Sequence, residues 1–270
     1  MRWTPPPRRL ALVTGASSGI GAEFARHLVG RGFDLAITAR RADRLELLAA
    51  ELRGRGAEVI TVPEDLSIPG AVDRILTAVG GQDRTVEVLI NNAGFGVPGS
   101  YARSGWAEQA ASLQLMLVSV CELTHKTLPG MLERRYGRVV NVASLAGLLP
   151  GASGHTLYAA TKSFLIKFSQ SLHLETRGTG VEACAVCPGF TFTEFHDANG
   201  TRARVTAGTP AWVWQDAEAV AREGWRAAER GQATVVTGRV NRSIAALAKV
   251  LPDDVALGVM ARNSARIREP

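Results

Sequence analysis

Short unbroken apolar runs alternate along this chain with longer stretches in which apolar residues recur every three or four positions. The runs read as strands at 10–13, 33–38, 57–62, 86–90, 138–143, 181–187 and 233–236. The stretches between them read as helices at 19–30, 41–53, 70–79, 104–134, 156–176 and 216–230. Leu45, Leu48 and Leu52 show the helical spacing, and Gly178 and Gly180 close the helix before them. Residues 240–267 read as two short helices broken at Leu251-Pro252. Strands that are apolar at nearly every position belong to a sheet covered on both faces. Their alternation with helices predicts parallel strands joined by right-handed crossovers. The expected fold is a doubly wound α/β sheet of seven parallel strands with helices on both faces. No internal repeat divides the chain. Residues 1–270 are expected to form a single domain, with 190–215 as a substrate lid and 240–270 as C-terminal helices over the cleft or at an interface.

Composition narrows the class. The chain has 270 residues, 46% hydrophobic and 21% charged, enough to bury a full core without disulfides or metals. The net charge of +6 raises the question of nucleic acid. The arginines are scattered, however, and no basic helix alternates with aromatics, so a basic surface with a pocket for a phosphorylated cofactor is expected instead. Three cysteines, an odd and sparse count, argue against a secreted disulfide scaffold. Cys184 and Cys187 share a predicted strand, which turns them to opposite faces about 10 Å apart, too far for a disulfide. No apolar run reaches about 18 residues, so no membrane span is expected. The proline-rich start lacks the pattern of a signal peptide, and a cytoplasmic protein is expected. His27, His125, His155, His173 and His196 form no spaced cluster, so no metal site is expected. His155 precedes a helix as either a cap or a pocket residue.

Two motifs carry chemistry. Gly15, Gly19 and Gly21 follow a predicted strand and open a predicted helix, the setting in which backbone approaches a pyrophosphate at a helix N-terminus. The second strand ends Thr38-Ala39-Arg40-Arg41, with no acid to bind a ribose 2′-hydroxyl and with Arg40 available to a 2′-phosphate, so NADP(H) is expected over NAD(H). Tyr158 precedes Lys162 by four residues, which puts both on one helix face. An ammonium there favours phenolate and lowers the tyrosine pKa toward working pH, making the phenol a proton donor to a carbonyl or acceptor from an alcohol. Asp65-Leu66 and Asn91-Asn92-Ala93-Gly94 follow strands, where ligands bind in open α/β sheets.

Thr14-Gly15-x-x-x-Gly19-x-Gly21, Asp65, Asn91-Asn92-Ala93-Gly94, Ser144, Tyr158-x-x-x-Lys162 and Pro188-Gly189 occur in order. Over residues 10 to 195 the chain resembles the short-chain dehydrogenase/reductase family in its single-domain, Rossmann-like form. The resemblance implies hydride transfer between NADP(H) and a small-molecule carbonyl or secondary alcohol. It implies that Gly15, Ser17, Ser18, Gly19, Ile20 and Gly21 hold the pyrophosphate and adenosine ribose. Arg40 would hold the 2′-phosphate, Asp65 and Leu66 would flank adenine, and Asn91, Ala93 and Gly94 would line the adenosine side. Pro188, Gly189 and Thr193 would position the nicotinamide. Tyr158 would be the acid/base, Lys162 would bind the nicotinamide ribose and tune Tyr158, and Ser144 would orient the substrate oxygen. A homo-oligomer is expected through the helix carrying Phe164, Leu165, Phe168 and Leu172.

One position departs from the pattern. Family members carry an asparagine in the helix after Asn91-Asn92-Ala93-Gly94, supporting a water that links the lysine to solvent, and Met116 occupies that position here. Ser112 or Ser119, on the same helix face, is expected to hold the water instead. The departure also leaves open a catalytically silent NADP-binding sensor. On the substrate side, Phe190, Phe192 and Phe195 either line an apolar pocket or pack the lid, and Trp212 and Trp214 anchor the next helix. The substrate is expected to be apolar.

Overall fold

The structure, a computed structural model, describes residues 8–81, 84–97, 99–154, 156–195, 205–206 and 209–268. His155, and the part of the expected lid at 196–204 and 207–208, lie outside the described residues. In chain order the elements are β1 Leu10–Thr14, α1 Gly19–Gly30, β2 Asp34–Ala39, α2 Ala42–Gly54, β3 Val59–Pro63, α3 Ala71–Gly80, β4 Val86–Asn91, α4 Trp106–Leu113 and α5 Ser119–Glu133. They continue with β5 Gly137–Val142, α6 Thr156–Glu175, β6 Val181–Cys187, β7 Thr191–Phe192, β8 Gln215–Asp216, α7 Ala217–Glu229, β9 Thr234–Val236, α8 Arg239–Val250 and α9 Asp253–Arg268.

Seven strands form one sheet in the order β3-β2-β1-β4-β5-β6-β9, and every pairing is parallel. β1 pairs with both β2 and β4, so the strand order reverses beside β1 and opens a crevice at the carboxyl ends of these two strands. β1 is buried throughout, and its side chains alternate between two cores. Ala11 and Val13 join Phe24, Leu28, Leu45 and Trp225 of α1, α2 and α7 on one face. Leu10 and Leu12 join Ile75, Leu123 and Leu172 of α3, α5 and α6 on the other. Such double coverage explains why the strands read as continuous apolar runs. Cys184 and Cys187 are free thiols in different cores, on opposite faces of β6.

The structure departs from the sequence reading in two places. The helix expected over 104–134 is interrupted by a π-helical turn at Gln114–Val118. This turn admits an extra residue per hydrogen-bonded loop and shifts the helix face. Residues 190–216 also contribute β7 and β8, a two-residue parallel ladder separate from the main sheet. Runs this short leave no periodic signal.

Candidate active site

One large cavity, about 950 Å³, opens at the carboxyl ends of β1, β4, β5 and β6. Its cofactor end starts at the β1–α1 turn. Thr14 Oγ1 accepts hydrogen bonds from the backbone amides of Asn92 (2.9 Å) and Ala93 (3.0 Å), and donates to Ile90 O (3.2 Å). The Asn92 side-chain amide donates to Thr14 O (3.0 Å) and Gly15 O (3.2 Å), stapling the turn to the end of β4. Gly15 has φ +66°, the left-handed region that glycine favours, and a Cβ there would stand 2.8 Å from Ala93 Cα. A Cβ on Gly21 would stand 2.4 Å from Gly15 O, so this glycine serves the close approach of helix to strand. Gly15, Ser17, Ser18, Gly19 and Ile20 line the cavity, whereas Gly21 is buried behind them.

This end suits an anion. The first turn of α1 carries no acidic residue, and Ser18 at its N-cap makes no side-chain cap bond to the helix amides. Arg40 is exposed, lines the cavity, and has no hydrogen bond or ion pair with the described residues. Arg41 donates to Ser17 Oγ (3.0 Å) and Ser18 Oγ (2.9 Å). Asp65, Leu66, Ala93 and Gly94 line the neighbouring wall.

The other end holds the polar triad. Ser144 lies just beyond β5 in extended backbone, and its Oγ accepts from Ala146 N (3.1 Å) at the head of a short 3-10 turn, Leu145–Gly147. This turn packs against α6, which carries Tyr158 and Lys162. Lys162 is 5% exposed, and its Nζ donates to Val142 O at 2.7 Å. The same Nζ lies 5.6 Å from the centre of the Tyr158 ring. Burial lowers the Lys162 ammonium from 10.5 to about 8. Burial likewise pushes the neighbouring Cys187 thiol up to about 12, against the opposing pull of Lys162 and a hydrogen bond from the Ser144 backbone. Ser144, Tyr158, Lys162, Pro188, Gly189 and Thr193 all line the cavity that the glycine turn lines.

The family model for short chain dehydrogenases matches residues 9–203. The chain belongs to the short-chain dehydrogenase family. It is 35% identical to the NADP-dependent 3-hydroxy acid dehydrogenase of Salmonella typhi over 181 residues, 67% of this chain and 71% of that one. A short-chain dehydrogenase from Sphingobium yanoikuyae, solved with NADPH, is similar at TM-score 0.77 and 29% identity, covering 93% of this chain and 95% of that one. One from Burkholderia phymatum, solved with NAD, is similar at TM-score 0.79 and 25% identity, with the same two coverages. This short-chain dehydrogenase is therefore an oxidoreductase of the CH–OH and C=O groups, built for a nicotinamide cofactor.

Within the dehydrogenase, Asn91, Ser112 and Ser119 join Gly21 in lying away from the cleft. Asn91 is 2% exposed, and its amide donates to Asn141 Oδ1 (2.8 Å) and Thr124 Oγ1 (3.3 Å). Its side chain braces β4 against β5 and α5, while the neighbouring Asn92 lines the cavity. Met116 is buried with its Sδ 3.1 Å from where a Gly94 Cβ would stand, and the π-helical turn presents Leu115 to the cavity instead. Ser112 and Ser119 are both buried and do not line the cavity, and the Ser119 hydroxyl donates to Leu66 O (2.7 Å). Glu194, which pairs with Arg41 and Arg44, carries no signal in the sequence. Nor does Asn241, which seals the cavity behind Gly189 and donates to Gln215 Oε1 (2.9 Å) and Thr237 O (3.0 Å). The partners of Glu194 lie 153 and 150 residues away and Gln215 lies 26 residues from Asn241, so no local motif marks them.

Proposed function

We propose that this dehydrogenase interconverts an apolar ketone and its secondary alcohol with NADP(H), using Tyr158 as the acid/base. The observation that carries this reading is the buried Lys162 ammonium 5.6 Å from the Tyr158 ring, in a cavity continuous with the glycine turn. A bound nicotinamide supplies hydride transfer to or from the reacting carbon. The chain's own residues handle the oxygen and its proton. In the reductive direction Tyr158 gives its phenolic proton to the oxygen as the C=O bond becomes C–OH, and Ser144 donates a hydrogen bond to the same oxygen. Donors aimed at developing negative charge are the strongest electrostatic contribution such a site makes. Lys162 favours phenolate after the proton leaves, and its ammonium offers hydrogen bonds to a ribose.

NADP(H) is the preferred partner because Arg40 lines the cavity as a cation without a partner among the described residues, and no carboxylate ends β2. Ser17, Ser18, Gly19 and Ile20 take the pyrophosphate at the positive end of α1. Asp65 and Leu66 flank the adenine, Ala93 and Gly94 the adjoining ribose, and Pro188, Gly189 and Thr193 the nicotinamide. Beyond Tyr158 the cavity wall is apolar, with Leu149, Val205, Val213, Ile244, Leu247 and Met260. That wall favours a bulky hydrocarbon substrate.

A panel of apolar ketones with NADPH or NADH, followed at the reduced-nicotinamide absorbance, is expected to show turnover with a higher kcat/KM for NADPH. Tyr158→Phe is expected to lower kcat by about 10²-fold to 10⁴-fold while NADPH still binds. Turnover retained in that variant would remove Tyr158 from its role.

A further inference from the structure

The residues after Pro188-Gly189 reach back across the crevice to α2. Arg41 Nη1 donates to Glu194 Oε2 at 2.9 Å, and Arg44, three residues along α2, donates to the other oxygen of the same carboxylate. Arg41 meanwhile holds Ser17 Oγ and Ser18 Oγ with its second terminal nitrogen. Glu194 thus links three segments: the glycine turn, the start of α2 and the loop beyond β6.

The sheet order makes this link a bridge. β2 and β6 are separated by β1, β4 and β5. Four steps of about 4.8 Å put roughly 19 Å between them. A contact from Arg41, two residues after β2, to a residue beyond β6 must therefore cross the carboxyl ends of β1, β4 and β5. Ser17, Ser18, Arg40, Arg41 and Glu194 all line the cavity that opens there. The loop also sits tightly on the turn, since a Cβ on Gly19 would stand 3.0 Å from Thr193 Cβ.

We propose that Glu194, with Arg41 and Arg44, forms an ionic clasp over the cofactor cleft that retains a bound dinucleotide whether or not it carries a 2′-phosphate. The proposal rests on the cofactor reading above. The clasp is charged at working pH, because Arg44 and Arg41 hold the Glu194 carboxyl below the usual carboxylate range. Its side chains are close to half exposed, at 40% for Glu194 and 43% for each arginine, so its strength is modest and screened by salt. Arg44 does not line the cavity, which makes it a clean probe of the clasp.

Dissociation of NADPH and of NADH is to be measured by stopped-flow displacement for wild type, Glu194→Gln, Arg44→Gln and the double variant. Each single variant is expected to release both cofactors roughly threefold to fivefold faster, the gain of an exposed ion pair. The factor is expected to be the same for NADPH and NADH. The double variant is expected to release no faster than Glu194→Gln alone, because that variant already removes the contact to Arg44. The ratio of variant to wild-type rate is expected to fall toward one near 0.5 M NaCl. Unchanged dissociation in both single variants overturns the clasp and leaves the cofactor reading standing. A change confined to NADPH overturns it too, by making Glu194 a partner of the 2′-phosphate site. Wild-type protein that binds neither cofactor overturns the cofactor reading and the clasp with it.

Discussion

Lys162 is buried with one hydrogen bond among the described residues, to Val142 O, and its charge therefore opposes folding. Its folded value of about 8 lies below the ordinary 10.5, so folding penalises the protonated form. The penalty is complete below pH 8, shrinks as pH rises toward 10.5, and is absent above it. In cofactor-free protein, the stability of wild type relative to Lys162→Met is expected to rise with pH across this window and then level off. Thermal melts of both proteins between pH 7 and 11 check it, and a flat difference would refute it. Cys184 and Cys187, both pushed up to about 12, lower stability above pH 9 in either protein and largely cancel in the difference. The Tyr158–Lys162 pairing was legible because helix geometry alone brings i and i+4 together. Glu194 was not, because its partners lie 153 and 150 residues away in the chain.

At the scale of elements, the site depends on how closely the 3-10 turn after Ser144 sits on α6. A Cβ on Gly147 would stand 2.6 Å from the Lys162 carbonyl carbon and 2.7 Å from Ser163 N, both backbone atoms that cannot swing aside. The Ser163 hydroxyl donates to Gly147 O at 2.7 Å and locks the contact. Gly147→Ala is expected to destabilise the protein by about 1–3 kcal/mol, since turn and helix must separate. It is also expected to lower kcat, with NADPH affinity within twofold of wild type, because the glycine turn is untouched. Denaturant unfolding and NADPH titration check the two halves of this expectation. The main strands and helices were readable because burial on two faces writes long apolar runs and three-and-four spacings into the chain. The π-helical turn at Gln114–Val118 was not readable, since one added residue leaves a helical stretch still helical in pattern.

For the molecule as a whole, the cavity joins parts contributed by nearly the full length of the chain. The ends of β1, β4, β5 and β6 supply the glycine-turn side and Ser144, α6 supplies Tyr158 and Lys162, and α8 and α9 supply Ile244, Leu247, Ala256, Val259 and Met260 on the opposite wall. Deleting residues 253–270 removes α9 and its three side chains from that wall. KM for apolar ketones is expected to rise about tenfold, the loss of part of one apolar contact surface, with NADPH affinity within twofold of wild type. Steady-state kinetics and cofactor titration on the shortened chain separate the two. No helix among the described residues is long and apolar enough to cross a membrane. What the sequence determined by itself was the alternation of strands and helices, the glycine turn that follows β1, and the tyrosine and lysine on one helix face. Each is a local property, carried by side-chain periodicity or by backbone freedom within a few residues. Only the tertiary structure decided that Asn91 braces the core while Asn92 faces the cleft, that Met116 packs beneath Gly94, and that Glu194 reaches Arg41 and Arg44 at the start of α2. These depend on which strands the sheet order sets side by side, and that order is a property of the packed chain, not of any window along it.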